Sequence, residues 1–476
     1  AAMTNLGSMP KLASRQRVIT LLDNPSLQEL EPLAALSDLD RLTIQSTSVT
    51  SMMGFRGLTR VRSVLDLNEN DKLVDLSALN KVTEIGALRL RRNNALESLK
   101  GLEALTRLGD PSTTDAGLLL EGNASLSNLS ALSQVTAVRS DVRIAFMGAL
   151  RDLKGLENLK TIDGNLSIAQ NTNLSSLEGL SGLTEVEGDL GVSGTFLSGL
   201  NNATDPKGLV ALERVGGHAS FILVTSLQGL ERLRTIGADL VVSSNPRTPL
   251  VTLKGLDGLT EIGGTLSLTA LTELTELSGL SKLERSGRIE LTNLPKVTAL
   301  DGLSALRTVG AIVLNSMSGL SSLGGLGQLA ELGELRVGSG NGFLTLSGLP
   351  ATLTTLRGLW VRGADQLVDL SGLEQITSIE GDTIIERNAA LTSLKGLEGV
   401  RTSTGTIRLR ENPALSDISA LEGITNFSGS ILAVFNNALL PVCAEFALLD
   451  ALRSTGNWSG GVYRGEAPEP RPMTCP

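Results

Sequence analysis

The feature that most constrains the fold is a phrase of about 24 residues that the chain repeats. Residues 153–195, LKGLENLKTIDGNLSIAQNTNLSSLEGLSGLTEVEGDLGVSGT, contain two copies of it. Each copy has an apolar residue at every third position, then a glycine, then an alternating L-x-L pair. Spacing by three is typical of a 3₁₀ turn, and alternation is typical of a strand. One copy cannot bury its leucines alone, so the pattern predicts stacked coils that share a continuous core.

The L-x-L pairs set the predicted strand register. Neighbouring registers compete at four of them, Ala219, Leu359, Thr383 and Ile431. The eighteen predicted strands begin at Ile19, Leu42, Leu65, Leu88, Leu118, Val142, Leu166, Leu190, Ala219, Leu240, Leu266, Ile289, Ile312, Leu335, Leu359, Thr383, Ile407 and Ile431. We therefore expect an N-terminal segment or degenerate first turn at 1–17, a solenoid of about 18 coils at 18–437, and a C-terminal cap at 438–476.

An asparagine often stands three residues after the second apolar residue of the pair. An inward asparagine there can bond the backbone of adjacent coils, so we expect a structural asparagine ladder rather than a ligand site. Its predicted members are Asn24, Asn70, Asn93, Asn123, Asn171, Asn245, Asn388, Asn412 and Asn436. Between the coils at 190 and 359 other residues take the position, namely Thr195, Val224, Leu271, Leu294, Met317, Gly340 and Ala364.

Two insertions break the period, GDPSTTDAG at 109–117 and SGLNNATDPKG at 198–208. Both are polar and contain glycine and proline, so we expect surface loops. Loops on a rigid scaffold often bind partners, and neutral insertion is the alternative. The candidate binding residues are Asp110, Asp115, Asn201, Asn202, Asp205 and Lys207.

The C-terminal segment departs from the repeat. Pro441 is typical of a helix start and Gly456 of a helix end, and Phe446, Leu449 and Leu452 between them form one apolar stripe. The segment therefore predicts a helix that covers the open end of the core.

The two cysteines, Cys443 and Cys475, flank this cap. Two buried free thiols are one interpretation, and a disulfide that ties the proline-rich tail to the helix is the one we favour. Such a bond would contribute about 3–4 kcal/mol. It would also imply an oxidising compartment.

The sequence offers little reactive chemistry. The one histidine, His218, gives no His-based metal cluster, and no phosphate-binding loop or nucleophile elbow occurs, so we expect no cofactor and no enzyme activity. The net charge of −9 has no basic footprint for nucleic acid, and no apolar run is long enough to span a membrane. Among outward strand positions, Trp360 is the expected aromatic. Two charge clusters, Arg89 and Arg91 beside Asp66 and Asn68, and Arg408 and Arg410 beside Glu386, are typical of cross-strand pairs.

The phrase LENLKTIDGNLSIAQNTNLSSLEGL resembles the receptor L domain, the leucine-rich β-solenoid module of insulin- and EGF-receptor ectodomains. Bacterial surface proteins that string such coils together are a closer match. The resemblance covers about residues 18–437 and implies a right-handed leucine-rich solenoid, one parallel sheet per face, with an extracellular binding or adhesive role. The array is much longer than one receptor L domain, and no ligand-contact residue of that family maps onto this chain.

These patterns favour a non-enzymatic binding or adhesion protein, secreted or anchored at a bacterial cell surface or outer membrane. Its expected partner is a protein or a surface glycan, and we expect a monomer or weak self-association. Two alternatives remain open at this point, a carbohydrate-active β-helix enzyme of the lyase or glycosidase type and an intracellular leucine-rich scaffold.

Overall fold

The computed structural model describes residues 4–6, 17–111, 116–193, 205–244, 249–456 and 460–463. The chain divides into two compact units. Unit 1 comprises residues 1–248 with 254–258, and unit 2 comprises residues 249–253 with 259–476. Each unit is a parallel β-solenoid in which successive coils contribute equivalent strands to the same ladder.

In unit 1 the first three strands are long, and from the third onward long strands alternate with two-residue strands along the chain. They are β1 Val18–Leu22, β2 Asp38–Gln45, β3 Arg60–Asn68, β4 Glu84–Ile85, β5 Leu88–Arg91, β6 Arg107–Leu108, β7 Leu118–Glu121, β8 Ala137–Val138, β9 Val142–Ala145, β10 Thr161–Ile162, β11 Leu166–Ala169, β12 Glu185–Val186, β13 Leu190–Ser193, β14 Arg214–Val215, β15 Ala219–Val224, β16 Thr235–Ile236 and β17 Leu240–Ser244. Its 3₁₀ turns are Glu31–Leu33, Met53–Phe55, Ser77–Leu79, Ser130–Leu132 and Glu178–Leu180.

The L-x-L strands of unit 1 form its main ladder. Leu166 pairs with Val142 on one side and with Leu190 on the other, so the register advances by one repeat at each coil. The inward apolar residues are almost fully buried, as at Leu65 and Leu67, while alternate residues face outward. The two-residue strands pair in the same way into a second, shorter ladder, for example Thr161 with Glu185. Both ladders enclose an aliphatic core.

Unit 2, described by itself, has two ladders of the same kinds. Its strands are β18 Glu261–Thr269, β19 Arg285–Thr292, β20 Thr308–Asn315, β21 Glu331–Val337, β22 Thr355–Leu356, β23 Gly358–Arg362, β24 Ser378–Ile379, β25 Thr383–Glu386, β26 Thr402–Ser403, β27 Ile407–Arg410, β28 Asn426–Phe427, β29 Ile431–Phe435 and β30 Gly461–Tyr463. Its 3₁₀ turns are Ser278–Leu280, Asp301–Leu303 and Ser419–Leu421. The second ladder continues as a separate four-stranded sheet of β22, β24, β26 and β28.

One predicted strand register in unit 2 is wrong. Ile431 was expected to begin the inward alternation, but Leu432 pairs with Ile407 and Ile431 is exposed. Four residues separate the buried Phe427 from Leu432, whereas three separate Ser403 from Ile407 in the preceding coil. This slip of one residue exchanges the inward and outward faces of the strand. The slip also makes Phe435 an outward residue, paired with Arg410 of the preceding main strand.

The L-x-x-L steps form two kinds of turn. In the first, a 3₁₀ helix forms, and at several of these helices a preceding polar side chain caps it, as where Asp75 Oδ1 accepts a hydrogen bond from the backbone N–H of Ser77 at 2.7 Å. In the second, a glycine has a positive φ, as at Gly101 with φ 110°, and its N–H donates to Glu103 Oε2 at 2.8 Å. The L-K-G-L-E pattern therefore marks a turn that its own glutamate closes.

The C-terminal helix α1 spans Val442–Ser454, with Pro441 as the residue before it. Its buried side chains are Leu448, Leu449 and Leu452, while the expected Phe446 is half-buried. The helix packs against the 3₁₀ turn Ser419–Leu421, and β30 adds to β29 beside it. Cys443 lies in the first turn of this helix, and Cys475 lies outside the described residues, so the disulfide stays a prediction.

Candidate binding face

Among the described residues, most main strands are followed by a residue with positive φ, which starts a corner of the coil. At Glu69 φ is 56°, and its N–H donates to the Arg91 carbonyl of the next coil at 2.9 Å. The same conformation occurs at side chains that do not favour it, such as Phe146 and Leu223. We call the residue after it the corner residue. Interstrand hydrogen bonding continues through this conformation, so the stacking of coils imposes it.

In unit 1 the corner residue is often a fully buried asparagine whose amide bridges three coils. Asn93 Oδ1 accepts from the Asn70 N–H at 3.1 Å, and Asn93 Nδ2 donates to the Leu67 carbonyl at 2.9 Å. The Asn93 N–H in turn donates to Asn123 Oδ1 at 2.9 Å. Because these amides are consumed by the backbone, they are not available to a ligand.

Other predicted ladder asparagines of unit 1 vary in role. Asn171 is buried, accepts from the Met147 N–H at 3.0 Å and donates to the Ile144 carbonyl at 2.9 Å. Asn24, in the first coil, is half-exposed and donates to the Leu22 carbonyl at 2.6 Å. Asn245 lies outside the described residues.

In unit 2 the ladder contains Asn388, Asn412 and Asn437. Asn412 Oδ1 accepts from the Asn388 N–H at 3.0 Å, and Asn437 Oδ1 accepts from the Asn412 N–H at 3.0 Å. The assignment of Asn436 is therefore wrong. It is exposed with φ 59°, because the strand before it is shifted by one residue.

A second asparagine was missed for a similar reason. Asn341, not Gly340, is the corner residue of its coil, and its Oδ1 accepts from the Met317 N–H at 2.9 Å. Gly340 takes the positive-φ position with φ 72°. One extra residue after Val337 moves the corner, and counting from the strand alone does not reveal it.

The described insertion residues lie partly in regular coil structure. Asp205 Oδ1 accepts from the N–H groups of Thr225 and Ser226 at 2.7 and 3.1 Å, and its Oδ2 accepts from the Thr225 hydroxyl. The Lys207 carbonyl accepts from the Leu177 N–H at 3.1 Å, although its side chain is exposed. Asp110 is half-buried. Asp115, Asn201 and Asn202 lie outside the described residues, so any role of theirs in binding stays a prediction.

His218 is exposed, and its Nδ1 accepts a hydrogen bond from the Asp239 N–H at 3.2 Å. Within the described ranges, no group of three or more His, Cys, Asp or Glu side chains is arranged to hold a metal ion. No helix in the described part of the chain is long and apolar enough to cross a membrane.

The charged residues of unit 1 form ordinary cross-strand pairs. Arg91 Nη2 lies 3.1 Å from Asp66 Oδ2, and Arg143 Nε lies 3.7 Å from Glu121 Oε2. At the start of β2, hydrogen bonds from Arg62 and then Arg60 hold the pKa of Asp38 well below its ordinary value. Each pair joins opposite charges, so these pairs add little net charge to the outer surface.

The outward face of the main ladder in unit 2 has a different composition. Its side chains come from β21, β23, β25, β27 and β29. We define the arginine face as Arg336, Trp360, Arg362, Glu386, Arg408, Arg410 and Phe435. The sequence had singled out Trp360 and the pairs of Glu386 with Arg408 and Arg410. The sequence did not predict that Arg336, Arg362 and Phe435 would lie beside these residues.

Glu386 is the centre of this face. Its side chain is only 8% exposed, and it lies between Arg362 and Arg408 of the two neighbouring coils. The N–O distances are 3.9 Å to Arg362 Nε and 3.6 Å to Arg408 Nη1. Glu386 Oε1 has no hydrogen-bond partner among the described residues. The carboxylate therefore holds both guanidinium groups by charge alone.

Two arginines of the face are fixed on aromatic rings. The Trp360 indole lies back over Gly358, where a Cβ would be 2.2 Å from the ring atoms Cη2 and Cζ3. The guanidinium carbon of Arg336 lies 4.1 Å from the Trp360 ring centre, and that of Arg410 lies 5.3 Å from the Phe435 ring centre. Such stacking orients a guanidinium plane.

Glutamates at the side of the face hold these arginines further. Glu334 accepts from Arg336 Nε at 2.9 Å, and Glu411 accepts from Arg410 Nε at 2.7 Å. Hydrogen bonds from Arg387 and then Arg410 lower the pKa of Glu411. The face is thus ordered before any partner arrives.

Unit 2 also has a polar cleft of about 380 Å³ where the second ladder is interrupted. The turn between the buried Leu346 and Leu353 has one residue more than the usual step, and Pro350 lies within it. As a result β22 pairs with β24 but starts a separate sheet from β21. Glu331, Arg357 and Glu380 line this cleft.

No protein-family model matches the chain, and no curated protein matches it. Among solved structures, the chain is similar to the crystal structure of a TLR13–ssRNA13 complex at 15% identity and a TM-score of 0.31. The alignment covers 94% of this chain and 83% of that chain. A likeness this distant carries no argument about ligand or family, so the solenoid assignment rests on the strand register itself.

Proposed function

We propose that this chain is a non-enzymatic binding protein, secreted or held at a cell surface, whose arginine face engages a macromolecular partner. The observation that carries the proposal is the grouping of Trp360, Phe435 and four arginines on one rigid sheet. Aromatics are only 2% of the chain, so this grouping is unusual for it. Tryptophan and arginine are also the residues that most often dominate binding energy at protein interfaces.

The architecture supports the same use. A solenoid offers an extended surface whose backbone geometry is fixed by its neighbours, so binding side chains lose little conformational entropy on association. Arg336 and Arg410 are already held by rings and glutamates. This favours recognition of a large partner by a preformed face, with adhesion as the cellular role.

A quantitative capture experiment tests the proposal. The full chain, immobilised, is exposed to solubilised surface proteins and glycans of candidate host cells, in parallel with a Trp360→Ala/Arg408→Ala variant. We expect specific ligands to be retained by the wild type and lost by the variant. The matched control is Val241→Ala, an exposed outward residue on β17 of unit 1. Equal retention by all three proteins would contradict a role for this face.

Free-thiol titration of the native protein tests the proposed compartment. A secreted protein should show no reactive thiol after denaturation without reductant, because Cys443 and Cys475 would be paired. Two titratable thiols would instead support an intracellular scaffold.

A further inference from the structure

The arginine face is locally positive although the whole chain has a net charge of −9. The face is positive because its arginines are more exposed than the carboxylate between them. The side chains of Arg362 and Arg408 are 60% and 43% exposed, whereas the Glu386 carboxylate between them is 8% exposed. An approaching molecule therefore meets guanidinium groups first, and the compensating negative charge lies beneath them.

Arg362 and Arg408 also keep their donors. Both lie farther from Glu386 than the roughly 3.2 Å upper limit of a good N–H···O bond. Each guanidinium has five N–H donors in a planar fork. Glu386 thus holds one guanidinium group on each side of it without using their hydrogen-bond donors. The planar fork of donors on each guanidinium matches the two oxygens of a carboxylate.

The aromatic residues point to the same ligand chemistry. In a sugar-binding face, ring surfaces are left open for the apolar side of a sugar. Here Arg336 lies against Trp360 and Arg410 against Phe435. The rings serve as supports for guanidinium groups, so the groups presented to a partner are charged donors rather than flat apolar surfaces.

We propose that the arginine face binds an acidic stretch of a polypeptide, with Arg362 and Arg408 each taking a carboxylate. This rests on the proposed function and names the chemistry of its partner. Glu386 is a positioning residue in this scheme. It limits the net charge of the face and holds the two arginines on either side of it, and it does not itself contact the partner.

The test uses the full chain and poly-L-glutamate as the probe, with heparin as a sulfated polysaccharide and poly-L-lysine as a cationic control. We expect saturable binding of poly-L-glutamate that weakens as salt is raised, and no binding of poly-L-lysine. An Arg362→Gln/Arg408→Gln variant should lose about tenfold or more in affinity. The loss of one modest charge-assisted contact alone would weaken binding about tenfold. Arg143→Gln is the matched control, because Arg143 is a half-exposed strand arginine of unit 1.

A Glu386→Gln variant tests the positioning role. Because the carboxylate charge holds both guanidinium groups, removing it should weaken the binding of poly-L-glutamate by a few fold, even though the face gains one net positive charge. Circular dichroism must show an unchanged fold for both variants. Unchanged or tighter binding by a folded Glu386→Gln protein would overturn the positioning role of Glu386.

The outcomes separate the two proposals. Tight binding of heparin with none of poly-L-glutamate would overturn the acidic polypeptide and leave the binding function standing. Unchanged poly-L-glutamate binding by the double arginine variant would place the binding elsewhere and overturn the inference. Equal retention of cell-surface ligands by Trp360→Ala/Arg408→Ala, tested above, would remove the arginine face from the proposed function, and failure of the wild type to retain any ligand would overturn the binding function itself.

Discussion

The corner of the coil is polar in one region and apolar in another, with the same backbone. From 70 to 123 in unit 1, the corner residues are Asn70, Asn93 and Asn123, and all are fully buried. In unit 2 the equivalent positions at 271 and 294 are leucines, again fully buried. The residues before them have nearly identical φ, 56° at Glu69 and 58° at Ala270.

The comparison shows that the corner conformation does not depend on the asparagine. Stacked strands impose the positive φ, and the corner side chain then fills the interior by one of two means. An asparagine supplies hydrogen bonds to the backbone of its neighbours, whereas a leucine supplies apolar volume. Asn171 and Asn341 each follow a methionine corner and accept from its N–H, so the two solutions can also alternate from coil to coil.

The largest expected effect comes from breaking the polar corner. Asn93→Leu leaves the Leu67 carbonyl and the Asn70 N–H without their amide partner in a buried site. We expect a loss of about 2–4 kcal/mol in the free energy of unfolding. Urea denaturation measures the loss, and hydrogen exchange should show faster exchange at Asn70. Asn94→Leu, at an exposed neighbouring position, is the control, and equal losses would contradict the ladder's role.

The reverse substitution tests the apolar corner. Leu294→Asn replaces a fully buried apolar side chain with an amide, so we expect a loss of about 1–3 kcal/mol. In the double variant Leu271→Asn/Leu294→Asn, the two amides can bond each other. Its loss, measured by urea denaturation, should be smaller than the sum of the two single losses. Strict additivity would show that the amides do not couple.

A smaller, stabilising effect should follow from relieving the conformation that both corners share. Ala270 has φ 58°, a region that costs a residue with a Cβ about 1–2 kcal/mol. Ala270→Gly should raise the unfolding free energy by only about 0.5–1 kcal/mol, because the greater entropy of glycine in the unfolded chain offsets part of the relief. Differential scanning calorimetry measures the change. A drop in Tm would mean that the apolar corner relaxes this strain by another route.

The smallest expected effect is a pH dependence of stability at an acidic turn, which the asparagine ladder should not show. Hydrogen bonds from Ser419 lower the pKa of Asp417 below its ordinary 3.8. A lowered folded pKa gives stability that is present above 3.8 and is lost as pH falls through the folded value. Asp417→Asn should therefore differ from the wild type in unfolding midpoint well above pH 3.8 and converge with it well below. The Asn93→Leu loss should stay the same across that range, because amides do not titrate.

Periodicity predicted the parts of the fold that repeat locally. The strand pairs at Leu166 and Ile407 follow from the L-x-L spacing, since one repeat brings equivalent residues together. Ile431 and Asn436 were misplaced because one residue was added before their strand, and hydrophobicity alone does not fix where an added residue is accommodated. Gly340 was misplaced by the same kind of insertion.

The candidate site was less predictable. One repeat of spacing was enough to pair Glu386 with Arg408. The stacking of Arg336 on Trp360 also depends on side-chain rotamers and on the absence of a side chain at Gly358. Phe435 reaches the face only through the strand slip that sequence reasoning missed.

The asparagine ladder also means that the number of coils in this molecule changes in whole steps. Each amide needs the corner of the next coil beside it, so removing residues 389–412, one whole coil, would set Asn388 directly against Asn437 with an equivalent set of partners. A deletion of half that length would stack the strand of one coil on a turn of the next, so that equivalent residues would no longer meet. The stack can therefore gain or lose coils only as whole repeats, which is how duplication of a gene segment would change its reach.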